Sequence, residues 1–277
     1  MLPFSAHTLT ALRAASAAAA IQRALFGRLT RIEYKGPQDP VTEADRASEE
    51  AIVGTLRDAF PSHAFVGAEG GRRGDSEHTW FIDPLDGTHN YAHGIPWFAV
   101  SIALQHRGQT IAAVILNPML GEVYAAERGA GAHLAAAPPG QAEWTGREEW
   151  RRITVSPIDQ LEDATLTSGF RHPLGDSRLN LDHFTNVLVR AARVREWGAA
   201  ALSLAAVAAG RIEGYWEMGP REWDLAAGLL LLEEAGGRSS DLRGRTAVLD
   251  HRQILATNGA IHDQMVAVLA LGRSGLD

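Results

Sequence analysis

No cysteine occurs among the 277 residues, which removes disulfides, thiolate nucleophiles, Cys-ligated zinc and iron-sulfur clusters together. Lysine is almost as scarce: Lys35 is the only one, so Schiff-base chemistry is confined to that position. Basic residues are outnumbered, 26 Lys and Arg against 33 Asp and Glu, for a formal charge of -7. A surface that binds a nucleic-acid polymer concentrates Lys and Arg to release counterions from phosphates, so no such partner is expected. If phosphate is handled here, something other than bulk charge must neutralise it. No run of about 18 or more apolar residues occurs, so no membrane-spanning helix is expected. Ala14 to Ile21 has the apolarity of a signal-peptide core, but Met1 to Leu12 lacks a basic flank. An amphipathic helix in a cytoplasmic enzyme is the reading, with export as the alternative.

What is present is an ordinary globular balance, 45% hydrophobic and 21% charged, at a length that allows one large or two modest domains. Thr8 to Leu29 carries apolar residues at helical spacing, and a second helical pattern runs from Thr42, an N-cap candidate, to Phe60. Between them, Tyr34 to Pro40 is turn chemistry and reads as a loop or short hairpin. Short apolar segments follow at Ala64 to Gly67, Trp80 to Ile82, Ala99 to Leu104, Thr110 to Leu116 and Glu122 to Ala126, and these read as strands, with Asn117 to Gly121 as a hairpin turn. Ala135 to Arg152 lacks periodicity and marks a soft boundary. Beyond it, strand-like segments (Ala164 to Ser168, Gly214 to Glu217, and near Val248 and Ile254) alternate with helical ones (Asn180 to Ala192, Ala199 to Ala209, Asp224 to Ala235). The expected division is an α+β half over 1–145 and an α/β half over 146–277.

Chemistry concentrates in Trp80-Phe81-Ile82-Asp83-Pro84-Leu85-Asp86-Gly87-Thr88, where an apolar strand ends in two acids three residues apart. Two carboxylates brought together without a basic partner repel, and a hard divalent cation is their natural third component. Oxygen ligands without cysteine favour Mg²⁺ over zinc. The plainer alternative is a surface turn whose acids cap the next helix. Trp223-Asp224-Leu225-Ala226-Ala227-Gly228 places a third acid at the start of an apolar helix, as an ordinary N-cap or as part of a metal cage. Asp39-Pro40-Val41-Thr42-Glu43-Ala44-Asp45 offers a fourth, one turn into a helix.

These segments, with Gly67-Ala68-Glu69 between them and His93-Gly-Ile-Pro-Trp-Phe-Ala-Val-Ser-Ile-Ala103 after, resemble the inositol monophosphatase family of magnesium-dependent, lithium-sensitive phosphatases. The resemblance covers nearly the whole chain. It implies an α+β fold, a layered α-β-α-β-α sandwich with the site between its halves, the first half carrying most metal ligands and the second carrying Asp224 and the substrate contacts. It implies two or three Mg²⁺ ions, a small phosphate ester as substrate, and a homodimer as the usual assembly.

By position, Asp83 and Asp86 resemble the family's metal carboxylates, the Leu85 carbonyl its main-chain ligand, and Asp224 the acid that completes the second metal. Thr88 matches the hydroxyl that orients the attacking water, and Asp45 the acid that supports it. The Gly87 and Thr88 amides suit a phosphate oxygen at a helix start. Gly198, Ala199, Ala200 and Glu217 match the contacts to the leaving alcohol, Glu217 accepting from ring hydroxyls. Where many relatives carry a hydroxyl, Ala199 removes one polar contact, so the preferred polyol can differ from inositol. His89, His93 and Arg195 are weaker candidates for substrate contact or loop orientation.

One departure matters. The family pattern is Gly-Glu-Glu, and an ungapped run places Ala68 at the first Glu, a metal ligand, and Glu69 at the second. Three explanations compete: a substitution made to trap a complex, use of Glu69 after a local shift, or lost activity. The implied reaction is hydrolysis of a phosphate monoester, inositol 1-phosphate first. Histidinol phosphate, fructose 1,6-bisphosphate and 3′-phosphoadenosine phosphates are the alternatives within the family, and an inactive phosphate-binding homologue is the alternative outside enzymology.

Overall fold

In the computed structural model, which describes residues 4–29, 32–36, 39–137, 144–170, 178–246 and 253–271, the chain forms three sheets, the smallest a two-stranded hairpin, and seven α-helices among the described residues. The first half runs α1 (Ala6–Leu25), β1 (Ile32–Gly36), β2 (Asp39–Thr42), α2 (Glu43–Ala59), β3 (Ala64–Gly67), β4 (Gly71–Arg73), β5 (His78–Asp86) and the short α3 (Thr88–Ala92). A meander follows through β6 (Ala99–His106), β7 (Gln109–Asn117), β8 (Glu122–Glu127) and β9 (Gly131–Ala136), closed by β10 (Arg151–Arg152). The remainder is β11 (Thr165–Gly169), α4 (Arg178–Leu188), β12 (Arg193–Glu196), α5 (Ala200–Ala208), β13 (Gly214–Met218), α6 (Glu222–Glu234), β14 (Arg238–Ser240), β15 (Gln253–Thr257) and α7 (His262–Leu269).

Strands β10-β9-β8-β7-β6-β5-β3-β4 form one eight-stranded sheet, antiparallel except where β3 runs parallel to β5. Strands β12-β11-β13-β15-β14 form a five-stranded sheet with β11 parallel to both its neighbours. Each strand in the middle of the large sheet is buried on both faces, which is why β5 to β8 read as near-continuous apolar runs rather than alternating ones.

One face of that sheet packs Ile82, Val100, Ile102 and Leu104 against Ala11, Ala14, Ala15 and Ala18 of α1 and Ile52 and Leu56 of α2. The small alanine side chains let α1 and α2 approach closely. The other face packs Phe81, Ala103 and Ala113 against Leu202 and Ala205 of α5 and Ala227 and Leu231 of α6. The far sides of α5 and α6 cover Tyr215, Ile254 and Ala256 of the smaller sheet. That sheet's outer face, with Leu166, Trp216 and Leu255, is covered by Val187 of α4 and Met265 of α7. The layers therefore run α-β-α-β-α, the sandwich expected from the sequence. No helix among the described residues is long and apolar enough to cross a membrane.

Local expectations meet their physical causes. The Ala-rich segment is the helix α1, started by Ser5, whose hydroxyl accepts the Thr8 N–H. On either side of the Tyr34 to Pro40 segment, β1 and β2 pair antiparallel as the hairpin expectation requires, and Asn117 closes the β7-β8 turn by accepting the Met119 and Leu120 N–H groups at 3.0 and 2.9 Å. Within the aperiodic stretch, Arg151–Arg152 pairs with β9 and extends the large sheet; so short a strand leaves no alternation to read. The strand expected near Val248 lies outside the described residues.

Candidate active site

Helix α2 begins with a reciprocal cap. Thr42 Oγ1 accepts the Ala44 N–H at 3.1 Å, while Asp45 Oδ2 accepts the Thr42 N–H at 2.7 Å and the Thr42 hydroxyl at 2.6 Å. The other Asp45 oxygen, Oδ1, accepts the Thr88 hydroxyl at 2.8 Å. Thr88 Oγ1 also lies 2.9 Å from the Leu85 carbonyl. Asp45 is almost wholly buried, and burial pushes its pKa up to about 6 against the pull of the Thr42 and Thr88 hydrogen bonds, with the Glu69 charge adding to the rise.

Asp83 and Asp86 would point to opposite faces of a regular strand, being three residues apart. The register prevents this: Asp83 pairs with Ser101 and Asp86 with Ala99, so β5 spends one more residue than β6 between them. This bulge contains Pro84, which has no N–H to give to a ladder. Gln22 of α1 holds it from beneath, its Nε2 donating to the Pro84 carbonyl at 2.6 Å. Both carboxylates then act on one another. Burial first, then the charges of Asp86 and Asp224, hold Asp83 well above the usual carboxylate range. Burial and Asp224 push Asp86 up to about 7.

Asp86 also ties the end of β5 to the start of α5. Ala199 cannot cap α5 with its side chain, and Asp86 does so instead, accepting the Ala200 N–H on Oδ1 at 3.1 Å and the Ala201 N–H on Oδ2 at 2.8 Å. Gly87 follows with φ 91°. A Cβ there would stand 3.1 Å from the Trp97 carbonyl and 3.2 Å from that of Gly198, so only glycine fits. Asn90 completes the seam, its Nδ2 donating to the Trp97 and Trp197 carbonyls.

Asp224 lies within the first turn of α6, two residues past its start, where Oδ2 accepts the Arg221 N–H at 2.7 Å. It is the reciprocal partner of the cap rather than the cap itself, and its charge reaches Asp83, Asp86 and Glu217. A cavity of about 170 Å³ is lined by Asp86, Gly198, Ala199, Ala200, Glu217 and Asp224, together with Ser168, Phe170, Glu196, Ser203 and Tyr215. Glu217 hydrogen-bonds the Tyr215 hydroxyl, and burial, with Asp224 and Asp86 near, pushes its pKa up to about 8. Tyr215 and Glu217 share a strand face two residues apart, a spacing that could have flagged Tyr215 from sequence. Glu196 and Ser168 carry no such signal; they arrive because β12 and β13 flank β11.

Glu69 is not in this cavity. It lines a neighbouring groove of about 660 Å³ with Ala68, Arg46, Glu49, Arg57 and Arg73. The Ala68 N–H donates to the Ile82 carbonyl at 3.2 Å, one step beyond the Gly67–Ile82 pair, so Ala68 sits beside Asp83. His89 and His93 stack on one another at 4.3 Å and face solvent, and Arg195 is exposed with its guanidinium on the Val194 carbonyl. None of the three enters the cavity lining.

Among the described residues no group of three or more His, Asp or Glu side chains closes tightly enough to hold a metal ion. The donor chemistry nonetheless fits a hard cation. The charges that most affect Asp83 are all acidic, and both Asp83 and Asp86 are buried acids held above their ordinary proton affinity.

The family model described as the inositol monophosphatase family matches residues 5–271. An inositol-1-monophosphatase of Mesorhizobium japonicum is 43% identical over 242 residues, 85% of each chain. A Nus factor SuhB of Pseudomonas aeruginosa is 44% identical over 262 residues, 90% of each. Among solved structures, the extragenic suppressor protein suhB of Bartonella henselae superposes with a TM-score of 0.86 at 37% identity, covering 95% of this chain and 98% of that one.

Proposed function

The chain belongs to the inositol monophosphatase family and is a phosphate monoester hydrolase, and we propose that it acts on a small polyol phosphate, inositol 1-phosphate first, with Mg²⁺ as cofactor. The observation that carries this reading is the buried pair Asp83 and Asp86, with Asp224 acting on both, beside a Thr88 hydroxyl already bonded to a buried acid.

Asp83, Asp86, Asp224, the Leu85 carbonyl and Glu69 are the groups that would hold two or three Mg²⁺ ions, which would supply positive charge to the phosphate and acidify a water. The chain's own residues do the rest. Thr88 Oγ1 donates its proton toward Asp45 Oδ1 and so presents a lone pair to the attacking water. As that water's proton moves to Thr88 Oγ1, the hydroxyl proton passes to Asp45 Oδ1. A proton affinity near 6 suits Asp45 to receive it at neutral pH. The Gly87 and Thr88 amides face a phosphate oxygen, and Glu217 and Tyr215 face the hydroxyls of the leaving alcohol. The two halves divide this work, residues 1–145 supplying the reacting end and 146–277 the alcohol end with Asp224.

The same reading takes the protein as a cytoplasmic homodimer with no nucleic-acid or membrane partner; the Nus factor name belongs to the Pseudomonas relative, and a charge of -7 gives polyanion binding no support here. A second reading, a phosphate binder that does not turn over, draws on Ala68 standing beside Asp83. The test is phosphate release from inositol 1-phosphate, histidinol phosphate, fructose 1,6-bisphosphate and 3′-phosphoadenosine 5′-phosphate, with and without Mg²⁺. Mg²⁺-dependent release fastest from the inositol ester supports the proposal. A faster rate with another ester replaces the substrate, and binding without release from any of them favours the second reading.

A further inference from the structure

Glu49 has no part in the chemistry described so far, yet it is a buried acid, 4% exposed, one helical turn beyond Asp45 on the same face of α2. A carboxylate taken out of water costs several kcal/mol unless it is paired or hydrogen-bonded. Its Oε2 accepts the Glu69 N–H at 2.8 Å across 20 residues of chain. Its Oε1 lies 3.6 Å from the Arg73 guanidinium at the end of the return strand β4.

The glycines around it are explained by the same carboxylate and its Arg73 partner. A Cβ on Gly67 would stand 2.6 Å from Glu49 Oε2, and one on Gly70 would run into the Arg73 guanidinium and stand 2.5 Å from Glu49 Oε1. Gly71 then turns the chain at φ 64°. The sequence Gly67-Ala68-Glu69-Gly70-Gly71 thus wraps a turn around one buried acid, with glycine where the acid must approach the backbone.

We propose that Glu49 is a positioning residue, which fixes the turn from Gly67 to Gly71 and with it the place of Glu69 relative to Asp45. This rests on the reading of the site given above. Helix α2 acts as a ruler: Thr42 holds Asp45, Asp45 holds the Thr88 hydroxyl, and Glu49, four residues on, holds the Glu69 backbone. The Glu69 charge reaches Asp45, so the turn sets the electrostatic surroundings of the group that supports Thr88.

The experiment compares wild type with Glu49→Ala, Glu49→Gln and Gly67→Ala in steady-state phosphate release, in amide hydrogen exchange of the segment 67–71, and in thermal unfolding. A glutamine carbonyl can still accept the Glu69 N–H, so Glu49→Gln should keep the exchange protection and most of kcat. Glu49→Ala, and Gly67→Ala by pushing the carboxylate off its partner, should speed exchange in that segment and lower kcat by about 10²-fold with KM little changed, the cost of misplacing a catalytic group by about 1 Å. A Glu49→Ala protein that melts earlier but keeps wild-type kcat and exchange overturns the proposal and makes Glu49 a purely structural residue. If Glu49→Ala does not fold, Gly67→Ala carries the same two readouts. If wild type releases no phosphate from any ester, the functional reading fails, and the exchange of segment 67–71 alone decides whether Glu49 holds the turn.

Discussion

Thr88 Oγ1 lies 2.8 Å from Asp45 Oδ1, joining residues 43 positions apart in the chain. The Asp45 side is fixed by the cap of α2 and the Thr88 side by the bulged end of β5, so neither side chain has to search for the other. Thr88→Ala removes the hydroxyl and leaves the buried acid with its Thr42 bonds. A loss of about 10²-fold in kcat is expected, with KM changed little, since general-base assistance is typically worth 10² to 10⁴. Steady-state kinetics on the preferred ester checks this, and an unchanged kcat would remove Thr88 from the mechanism.

Buried acids without a cation set the pH dependence of the metal-free protein. Asp45, Asp86 and Glu217 have folded-state pKa values raised to about 6, 7 and 8, above those of the unfolded chain. The unfolded state then loses its protons first as pH rises, so stability is greatest below the unfolded values and is lost as pH climbs through the folded ones. Chelator-treated protein is expected to melt about 5 to 10 °C lower at pH 8.5 than at pH 5. Added Mg²⁺ should recover most of the loss at the higher pH. A melting temperature that rises with pH in the chelated protein would contradict the assignment.

Ala68 stands beside Asp83, where the resembling family carries a metal-ligating Glu. Ala68→Glu is expected to tighten Mg²⁺ binding by about tenfold or more, as one added charged ligand does. Isothermal titration with Mg²⁺ alone reads this without any turnover. Equal affinity in both proteins would mean that a carboxylate at position 68 does not reach the cation.

Glu217 faces the cavity from β13 and shares the Tyr215 hydroxyl. Glu217→Gln keeps the volume but removes an acceptor for a ring hydroxyl. KM for a polyol ester should rise by about tenfold, as one lost hydrogen bond costs. The rate with a small aryl phosphate, which has no ring hydroxyls, should barely move; equal losses on both esters would place Glu217 elsewhere in the mechanism.

The reacting end of the site was legible because it is local. Thr42 and Asp45 lie within one turn, and Asp83 to Thr88 lie on one strand end, so spacing marked the acids as candidates, while the family resemblance supplied the roles of Asp45 and Thr88. The cap that Asp86 gives to α5 was not legible, since it reaches 114 residues ahead to backbone amides that any sequence would offer. Glu49 was missed for a related reason: a Glu in a polar helical stretch reads as solvated until the glycines at 67 and 70 are seen against it. The alternation of strands and helices after Ala164 gave the second layer, while the two-residue β10 and the exposed β12 carried no apolar pattern to follow.

The central claim is that one acidic cluster drawn from both halves, Asp83, Asp86 and Asp224, supports hydrolysis of a phosphate monoester. Asp224→Asn keeps the side chain's size and, through its amide oxygen, the bond from Arg221, so the fold should survive. Phosphate release from inositol 1-phosphate, measured across a Mg²⁺ titration for both proteins alongside their melting curves, is the direct measurement. The expected result is Mg²⁺-dependent release by wild type and its loss, by about 10²-fold or more, in a normally folded Asp224→Asn. Undiminished release by that variant would contradict the account.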